Sequence, residues 1–255
     1  MLTFLDPAVD VASRVVAAVG DVLHPILGDA STAGAIVLVT IAVRLLLLPL
    51  SYRAARATKA RLAMRPRELE LRKQFKSSPA RLKKELNDLR QHHQTSQFAG
   101  FLPLLAQAPI FMVMYRLFLT PTVNGQANLL LTHTLLGVPL GDRWLADLAT
   151  GLLPPDLLVF GALFVLLAAV AWWSSKQAKQ AMALTPTAMP DNVSPELARS
   201  MQGMMGTLSR LAPFGTVVAA AFVPLAAALY LLTTTAWSVA ERHVFGTYRA
   251  PVLAR

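Results

Sequence analysis

The chain has 255 residues, of which 55% are hydrophobic and only 15% are charged, and its mean hydropathy is +0.48. Soluble domains carry about 25% charged residues, so this composition excludes an ordinary cytosolic domain and favours a membrane protein. The absence of cysteine excludes disulfides and thiolate metal sites. The net charge of +10 is concentrated in residues 52–97, so it bears on membrane topology and not on specific nucleic-acid readout.

Residues 1–33 predict an extracytoplasmic N-terminus with an amphipathic helix that lies in the membrane interface. A short first membrane span is the alternative. It is disfavoured because Asp21, His24, Pro25 and Asp29 interrupt the segment before about 20 apolar residues accumulate. The apolar stripe at helical spacing consists of Val15, Val16, Val19, Val22, Leu23 and Ile26.

Four apolar regions follow and predict five membrane spans. The last region, 208–240, is too long for one span of about 20 residues, and Pro224 divides it into two short helices joined by a tight turn. The predicted spans are 34–51, 98–119, 156–175, 208–223 and 224–242. The predicted loops are 52–97, 120–155 and 176–207, with a tail at 243–255.

The charges of the loops set the orientation. The net charge is −3 in residues 1–33, +9 in 52–97, −2 in 120–156, +2 in 176–210 and +2 in the tail. Cytoplasmic loops of membrane proteins are rich in lysine and arginine. We therefore expect a multi-pass protein of the bacterial plasma membrane, with its N-terminus outside and its C-terminus in the cytoplasm.

Residues 52–97 predict an antiparallel helical hairpin on the cytoplasmic side. Pro66 is expected to begin a helix, and "SSP" at 77–79 offers a cap and a restart. Such a segment attracts anionic lipid headgroups and polyanions such as ribosomal RNA. A solvated basic loop that only sets topology is the alternative. His92 and His93 are adjacent and point in different directions on a helix, so no metal site is expected.

The run "TIAVRLLLLPLS" places Arg44 near the middle of the first span. A charge at that depth costs roughly 2.5–3.5 kcal/mol even on a translocon scale, so such residues face the bundle or a water-filled cavity.

The spans contain no carboxylate pair, no nucleophile with a base and no phosphate-binding glycine loop, so an enzyme is not expected, nor a cofactor.

Several runs resemble the YidC-type membrane protein insertase family, in particular its small Gram-positive or actinobacterial type without the large periplasmic domain. The first is "TIAVRLLLLPLS" with Arg44. The second is "AGFLPLLAQAPIFMVMYRLF", which carries the family's signature at Gly100, Pro103, Gln107, Pro109 and Ile110. "RPRELELRKQF" is similar to the family's hairpin helix, and "FVPLAAALYLLTTTAWS" to its last span. The resemblance covers residues from about 10 to 243.

Four positions depart from the family's pattern. Phe101 stands where many bacterial members carry a cysteine, Leu231 where a tryptophan is common, Thr235 where an asparagine is common and Glu241 where a glutamine is common.

The resemblance implies an all-α membrane protein with a five-helix core and a groove that is open to the cytoplasm and to lipid but closed on the outer side. Arg44 would then face water in this groove, and a guanidinium suits a carboxylate of a client. Nascent membrane proteins would be its partners, with the ribosome, the secretion channel and anionic lipids as further ones. Spacing and polarity add these candidates for the groove: Gln107, Tyr230, Thr234, Trp237 and Ser238. Ordinary hydrogen bonding between helices is the alternative for Gln107, Thr234 and Ser238, and pairing within the bundle is the alternative for Arg44.

The predicted function is therefore a membrane protein insertase and chaperone that releases hydrophobic segments laterally into the bilayer. A small-solute transporter or channel subunit is one alternative, although the chain shows no internal repeat of hydropathy. A membrane scaffold that docks partners through the basic hairpin is the other. The hairpin residues expected to recruit clients or ribosomes are Arg65, Arg67, Arg72, Lys73, Arg81, Lys83 and Lys84.

Overall fold

The computed structural model describes residues 6–75, 78–92, 102–120, 122–123, 126–151, 154–183 and 195–247. Within these ranges the chain is mostly helical. Two described stretches, Asp6–Leu46 and Pro154–Ala183, are helical and are long and apolar enough to cross a membrane. The predicted class, an all-α membrane protein, agrees with this fold, while the count of five spans stays a prediction.

The helices are α1 (Asp6–Leu27), α2 (Ser31–Leu46), α3 (Leu48–Gln74), α4 (Pro79–His92), α5 (Leu102–Leu119), α6 (Trp144–Thr150), α7 (Pro154–Ala183), α8 (Pro195–Leu211), α9 (Gly215–Ala220) and α10 (Leu225–Phe245). Short 3₁₀ turns lie at Gly28–Ala30, Leu129–Leu131 and Ala212–Phe214. Strand β1 (Thr122–Val123) pairs antiparallel with β2 (Gln126–Ala127). Strand β3 (Thr134–Leu135) pairs antiparallel with β4 (Val138–Pro139), and Thr134 lies opposite Pro139.

The chain divides into two compact units. The apolar unit comprises Met1–Leu47, Ala106–Ser174 and Ala212–Ala240, and the basic unit comprises Leu48–Leu105, Ser175–Leu211 and Glu241–Arg255. Every lysine falls in the basic unit, as does every arginine except Arg14, Arg44, Arg116 and Arg143. The compact units thus follow the same alternation of charge that predicts the topology.

The core of the apolar unit is built from α1, α2, α5, α7 and α10, together with the loop between α5 and α6. Each of these helices contributes side chains that are removed from solvent, because each carries an apolar stripe toward its neighbours. Fully or almost fully buried members are Val16, Ile36, Leu117, Phe160 and Leu225. This packing holds α2 and α10 in place.

Helix α1 has three distinct faces. One face packs on the core through Val9, Val16 and Gly20. A second face is apolar but exposed, and its large side chains are Val11, Val15, Val22 and Ile26. The third face is polar and carries Asp10, Arg14 and Asp21, of which Asp10 and Arg14 form an ion pair at 2.6 Å. This division is typical of a helix at a membrane interface. Its interfacial position stays a prediction.

Both halves of α1 contact the helices of the core. Near its start, the carboxylate of Asp6 accepts a hydrogen bond from the guanidinium of Arg116, in the last turn of α5. Near its end, the chain reverses through Gly28 at φ +53°, a conformation that glycine adopts without strain. The reversal brings Gly34 of α2 so close to α1 that a Cβ there would lie 2.7 Å from Leu27 Cδ1. A larger residue at position 34 would therefore require the Leu27 side chain to move.

The segment from Gln126 to Asp147, which we call the loop cap, covers one end of the apolar unit. Its Leu130, Val138 and Leu140 side chains are buried in the core. The buried Asn128 side chain ties the loop cap to α5, since its amide donates to the carbonyls of Leu117 at 2.6 Å and Thr120 at 3.2 Å. These carbonyls belong to the last turn of a helix, where four carbonyls lack helical partners.

Backbone hydrogen bonds also join the loop cap to the connection between α9 and α10. The amides of Leu225 and Ala226 donate to the carbonyls of Asp142 and Leu140, both at 2.9 Å, and the amide of Leu145 donates to the carbonyl of Ala221 at 3.3 Å. The helical break at 221–224 contains Pro224, as predicted. The loop cap therefore fixes the turn between the last two helices.

The carboxylates of the loop cap influence one another. Burial raises the pKa of Asp142 above its ordinary value of 3.8, and the neighbouring charges of Asp147 and then Asp156 raise it further. The folded state therefore binds this proton more tightly than the unfolded chain does. Stability contributed by this group increases as the pH falls toward 3.8 and decreases as the pH rises through the folded-state pKa.

In the basic unit, α3 and α4 contact each other. Residues Ala55, Met64, Leu71 and Leu86 supply their buried apolar side chains. Helix α4 begins at Pro79, as predicted for a proline in a first helical turn. The prediction that Pro66 begins a helix is wrong, because α3 runs through it from Leu48 to Gln74. The helix loses one backbone hydrogen bond there, but Pro66 is exposed, so water can solvate the freed carbonyl.

Helix α8 differs from the predicted boundary between a loop at 176–207 and a span at 208–223. It begins at Pro195 and ends at Leu211, and the 3₁₀ turn at Ala212–Phe214 separates it from α9. Its exposed large apolar side chains recur at spacings of four and three residues: Leu197, Met201, Met204, Leu208 and Leu211. Interspersed glycine, serine and arginine hide this stripe from a search for continuous apolar runs.

We predict that Asn128→Ala destabilises the apolar unit by about 1–3 kcal/mol, because the carbonyls of Leu117 and Thr120 lose the donor that the buried Asn128 supplies. Thermal or denaturant unfolding in detergent micelles measures this change. Thr132→Ala is the matched control, since its exposed hydroxyl bonds only to Leu129 within the same turn, and we expect an effect within about 0.5 kcal/mol. Equal effects of the two substitutions would contradict the role given to Asn128.

Candidate functional site

A small pocket in the apolar unit surrounds the guanidinium of Arg44. One side of the pocket is formed by Thr40 and Arg44 of α2 and by Leu47, which directly follows this helix. These residues share one helical face because they are spaced by four and three positions. The other side is formed by Tyr230 and Thr234, which are four residues apart on α10. The complete lining is Thr40, Val43, Arg44, Leu47, Met114, Tyr230 and Thr234.

Arg44 is a buried charge with only 8% of its surface exposed. Its Nε donates to Thr234 Oγ1 at 3.0 Å, and its Nη2 donates to the same oxygen and, at 3.4 Å, to the Thr234 carbonyl. Both acceptors are neutral. Because hydrogen bonds to a charged donor are stronger than neutral ones, Thr234 fixes the orientation of the guanidinium without cancelling its charge.

No carboxylate among the described residues lies within 4 Å of this guanidinium. Its outer nitrogen, Nη1, also finds no acceptor in the described part of the chain. Two N–H donors of a fixed positive charge are therefore left without an acceptor among the described residues.

Hydroxyl groups make α10 polar along this stretch, and those of Thr233, Thr235 and Ser238 donate to carbonyls of their own helix. Thr233 and Thr235 donate to carbonyls four residues earlier, at 2.8 Å and 2.6 Å. Ser238 donates at 2.8 Å to the Thr234 carbonyl, which is the same oxygen that Arg44 approaches. These internal bonds make a run of hydroxyls compatible with a helix in an apolar setting.

The remaining wall of the pocket is apolar. Val43 and Leu47 are half-buried, and Met114 of α5 is buried. Tyr230 is buried and packs on Phe118 of α5 with ring centroids 6.2 Å apart. The cavity measures about 10 Å³, which is about the volume that one water molecule requires. It is therefore far smaller than a ligand pocket of about 300–1,000 Å³ and does not hold a client segment in this conformation.

The structure brings three of the six predicted groove residues into the pocket, namely Arg44, Tyr230 and Thr234. Ser238 lies one turn further along α10 and contacts the pocket through the Thr234 carbonyl. Trp237 is half-buried on α10 and is not part of the pocket lining. Gln107 lies on α5, but its side chain falls outside the described residues.

Comparison with known proteins identifies the family. The family described as 60Kd inner membrane protein matches residues 22–250, which include the whole pocket. The chain belongs to this family. The predicted resemblance to the YidC-type insertases is confirmed, because proteins with the name membrane protein insertase YidC are among its relatives.

Two of these relatives are similar over most of the chain. The membrane protein insertase YidC of Oceanobacillus iheyensis is 31% identical over 206 residues, which are 78% of this chain and 68% of the relative. That of Mycolicibacterium paratuberculosis is 27% identical over 237 residues, covering 80% of this chain and 64% of the relative. A third, from Helicobacter pylori, is 35% identical over 82 residues, only 15% of its length. The chain thus spans about two thirds of the two long-matching relatives.

The groove residues predicted from the sequence do not include Thr40, Val43 and Leu47, which also line the pocket. The helical spacing could reveal Thr40 and Leu47, since positions four before and three after a buried arginine share its helical face. The sequence shows Met114 only as adaptable apolar surface. Its place beside Arg44 depends on how α5 packs on α2, which no local pattern encodes.

The predicted recruitment residues lie in the basic unit. Their described side chains are exposed on α3 and α4: Arg67, Arg72, Lys73, Arg81, Lys83 and Lys84. The side chain of Arg65 falls outside the described residues. Arg67 pairs with Glu70 at 2.8 Å on the surface, and such exposed pairs contribute little to stability. The exposed cations are therefore accessible to an anionic surface.

We predict that Thr234→Val destabilises the protein by about 1–3 kcal/mol, because the buried Arg44 guanidinium loses its hydroxyl acceptor. Unfolding in detergent measures this loss. Thr235→Val is a closely matched control, because the Thr235 hydroxyl bonds only within its own helix. A loss at position 234 that does not exceed the loss at position 235 would contradict the assigned pairing.

Proposed function

We propose that this chain is a membrane protein insertase and chaperone that uses Arg44 as an anion-binding group in a cavity open to the cytoplasm. The observation that supports this most strongly is the state of Arg44. The guanidinium is buried and held by neutral oxygens of Thr234, and no carboxylate of the described residues neutralises it. A charge kept in this form can attract a polar or acidic segment of a client.

The magnitude of the attraction suits transient binding. Two unit charges 4 Å apart interact by about 4 kcal/mol at an effective dielectric constant near 20. The client carboxylate loses hydration on entry, so only part of that energy is available as net affinity. Such binding is strong enough to draw an acidic tail away from the cytoplasm and weak enough to release it.

The loop cap closes one end of the apolar unit, which supports a client path that opens on one side of the membrane only. Buried Leu130, Val138 and Leu140 seal the loop cap onto the core, and backbone bonds join it to the turn after α9. The topology predicted from loop charge puts this end outside the cell. A client would therefore enter from the cytoplasm and leave sideways into lipid. Burial of its apolar surface, worth about 25 cal/mol per Å², drives the release.

We propose that α1 lies in the outer interface of the bilayer. Its polar face would contact water and its exposed apolar face would contact acyl chains. The face with Val9, Val16 and Gly20 is packed against the core, and the Asp6–Arg116 hydrogen bond holds the first turn of α1. In this position α1 would help to fix the outer ends of α2 and α5.

Recruitment is assigned to the basic helices α3 and α4. Their exposed lysines and arginines suit ribosomal RNA, anionic headgroups and acidic client segments by charge alone, without sequence readout. The names of the relatives support nascent membrane proteins as clients. Partnership with the ribosome and with the secretion channel belongs to this proposal.

We predict that Arg44→Ala reduces insertion of a single-span client with an acidic translocated tail by roughly tenfold, the effect of losing about 1.4 kcal/mol of interaction. Proteoliposomes and a protease-protection assay measure the inserted fraction. A client with a neutral tail should lose less. Arg53→Ala removes an exposed arginine of α3 and serves as the control.

Two further measurements keep this test specific. The unfolding temperature of Arg44→Ala shows whether the fold survives, and Arg44→Lys keeps the charge but not the planar donor fork. Unchanged insertion by a folded Arg44→Ala protein would favour a scaffold or an arginine-independent path. Movement of small solutes through the protein would favour the transporter alternative.

We predict that replacing the six exposed cations of α3 and α4 by glutamine weakens binding to ribosomes and to anionic vesicles, most clearly at low salt. Cosedimentation measures both. The control replaces Lys176 and Lys179, two exposed lysines of α7. Undiminished binding and insertion would show that the basic segment serves topology alone.

A further inference from the structure

The turn between β3 and β4 holds an unusual residue. Its two central positions are Leu136 and Gly137, at φ +53° and +88°. Hairpin turns with two positive φ values strongly favour asparagine, aspartate and glycine, because a Cβ is crowded there. Leu136 is the one non-glycine residue with positive φ in the described part of the chain.

Packing against the described residues contributes little to stabilising leucine at this position. The same hairpin buries Val138 and Leu140 completely, whereas the Leu136 side chain is 75% exposed. An asparagine would relieve the backbone strain and would also be better solvated in water. A strained backbone and an exposed apolar side chain at one residue point to a role outside the packing of the protein.

The hairpin lies at the end of a membrane helix. Strand β3 contacts both the 3₁₀ turn at Gly28–Ala30 and α2, the helix that begins directly after that turn. The turn also follows the last residues of α1, where Val22 and Ile26 are 75% and 81% exposed. The 3₁₀ turn at Gly28–Ala30, where the chain reverses from α1 to α2, therefore lies near three exposed apolar side chains: Leu136, Val22 and Ile26.

Charge favours lipid over water as the environment of the tip. Residues 130–141 contain no lysine, arginine, aspartate or glutamate, and His133 is their one titratable side chain. Asp10 and Asp21 lie on the separate polar face of α1, and Asp29 is exposed in the 3₁₀ turn that β3 contacts. The tip and the exposed apolar face of α1 are therefore each uncharged and lie next to a membrane-crossing helix.

We infer that the β3–β4 tip is a shallow lipid anchor, in which Leu136 inserts beside Ile26 and Val22 into the acyl-chain boundary of the outer leaflet. The anchor would hold the loop cap at a fixed depth relative to the bilayer. The inference requires residence in the membrane but not the insertase mechanism, so failure of one leaves the other standing.

The absence of cysteine makes a direct test possible. Single-cysteine variants Leu136→Cys, Ile26→Cys and, as control, His133→Cys are labelled with an environment-sensitive fluorophore and reconstituted into liposomes. His133 is exposed on the same loop. We expect blue-shifted emission at 136 and 26 and quenching by lipids that carry a shallow spin label. The label at 133 should be quenched by iodide instead.

Two outcomes would overturn the inference. Iodide quenching at position 136 equal to that at 133 would place the tip in water. Protection at 136 from both quenchers would mean that a protein surface, such as a second copy of this chain, covers the tip.

A second substitution separates anchoring from folding. Leu136→Asn tolerates the positive φ, so it should keep or raise the unfolding temperature in detergent. In liposomes the label at position 26 should then move toward water, with red-shifted emission. An unchanged position-26 spectrum in this folded variant would also overturn the inference.

Discussion

The charge of Arg44, held by neutral oxygens inside an apolar unit, is the interaction on which the rest of the structure depends. A carboxylate partner within the protein would have neutralised the charge of Arg44. The resulting ion pair would attract a carboxylate of a client only weakly. The Thr234 hydroxyl and carbonyl instead accept hydrogen bonds from Nε and Nη2 and leave Nη1 without an acceptor among the described residues. The guanidinium is therefore held in a fixed orientation, and its positive charge is not neutralised by a described carboxylate.

The surrounding fold keeps this site stable and asymmetric. Internal hydroxyl bonds allow α10 to carry Thr233, Thr235 and Ser238 without breaking its helix, and Arg44 binds the hydroxyl of Thr234. Asn128 and the backbone bonds of the loop cap close one end of the unit. The conspicuous positive charge lies in the other unit, on α3 and α4. Membership in the YidC-type family and these features lead to the same function, although each rests on separate observations.

The sequence predicts the parts of the site that differ chemically from their surroundings. An arginine and a polar stripe stand out in apolar helices, so the residue pattern alone identifies Arg44, Tyr230 and Thr234 as candidates. It does not identify their partners, since Met114 approaches Arg44 only through packing of two helices that are distant in sequence. The pocket is also more compact than the long groove expected from spacing along α10, as Trp237 and Ser238 do not line it.

Errors at helix boundaries have equally local causes. Proline is common at helix starts, which favours a start at Pro66, but α3 continues through this residue, which is itself exposed. Helix α8 starts well before the apolar run at 208, because its apolar residues recur every three or four positions between polar ones. The loop cap is invisible in sequence, since its buried residues follow no helical or strand period long enough to recognise.

Cysteine accessibility at the pocket wall tests the central claim most directly. Val43→Cys introduces a single thiol beside Arg44, and its reaction with membrane-impermeant thiosulfonates can be followed from each side of oriented vesicles. A wet, positively charged cavity open to the cytoplasm predicts modification from the cytoplasmic side only. It also predicts faster reaction with an anionic than with a cationic reagent, and loss of that preference in Arg44→Ala. A thiol that is unreactive from both sides, or reactive from the outside, would contradict it.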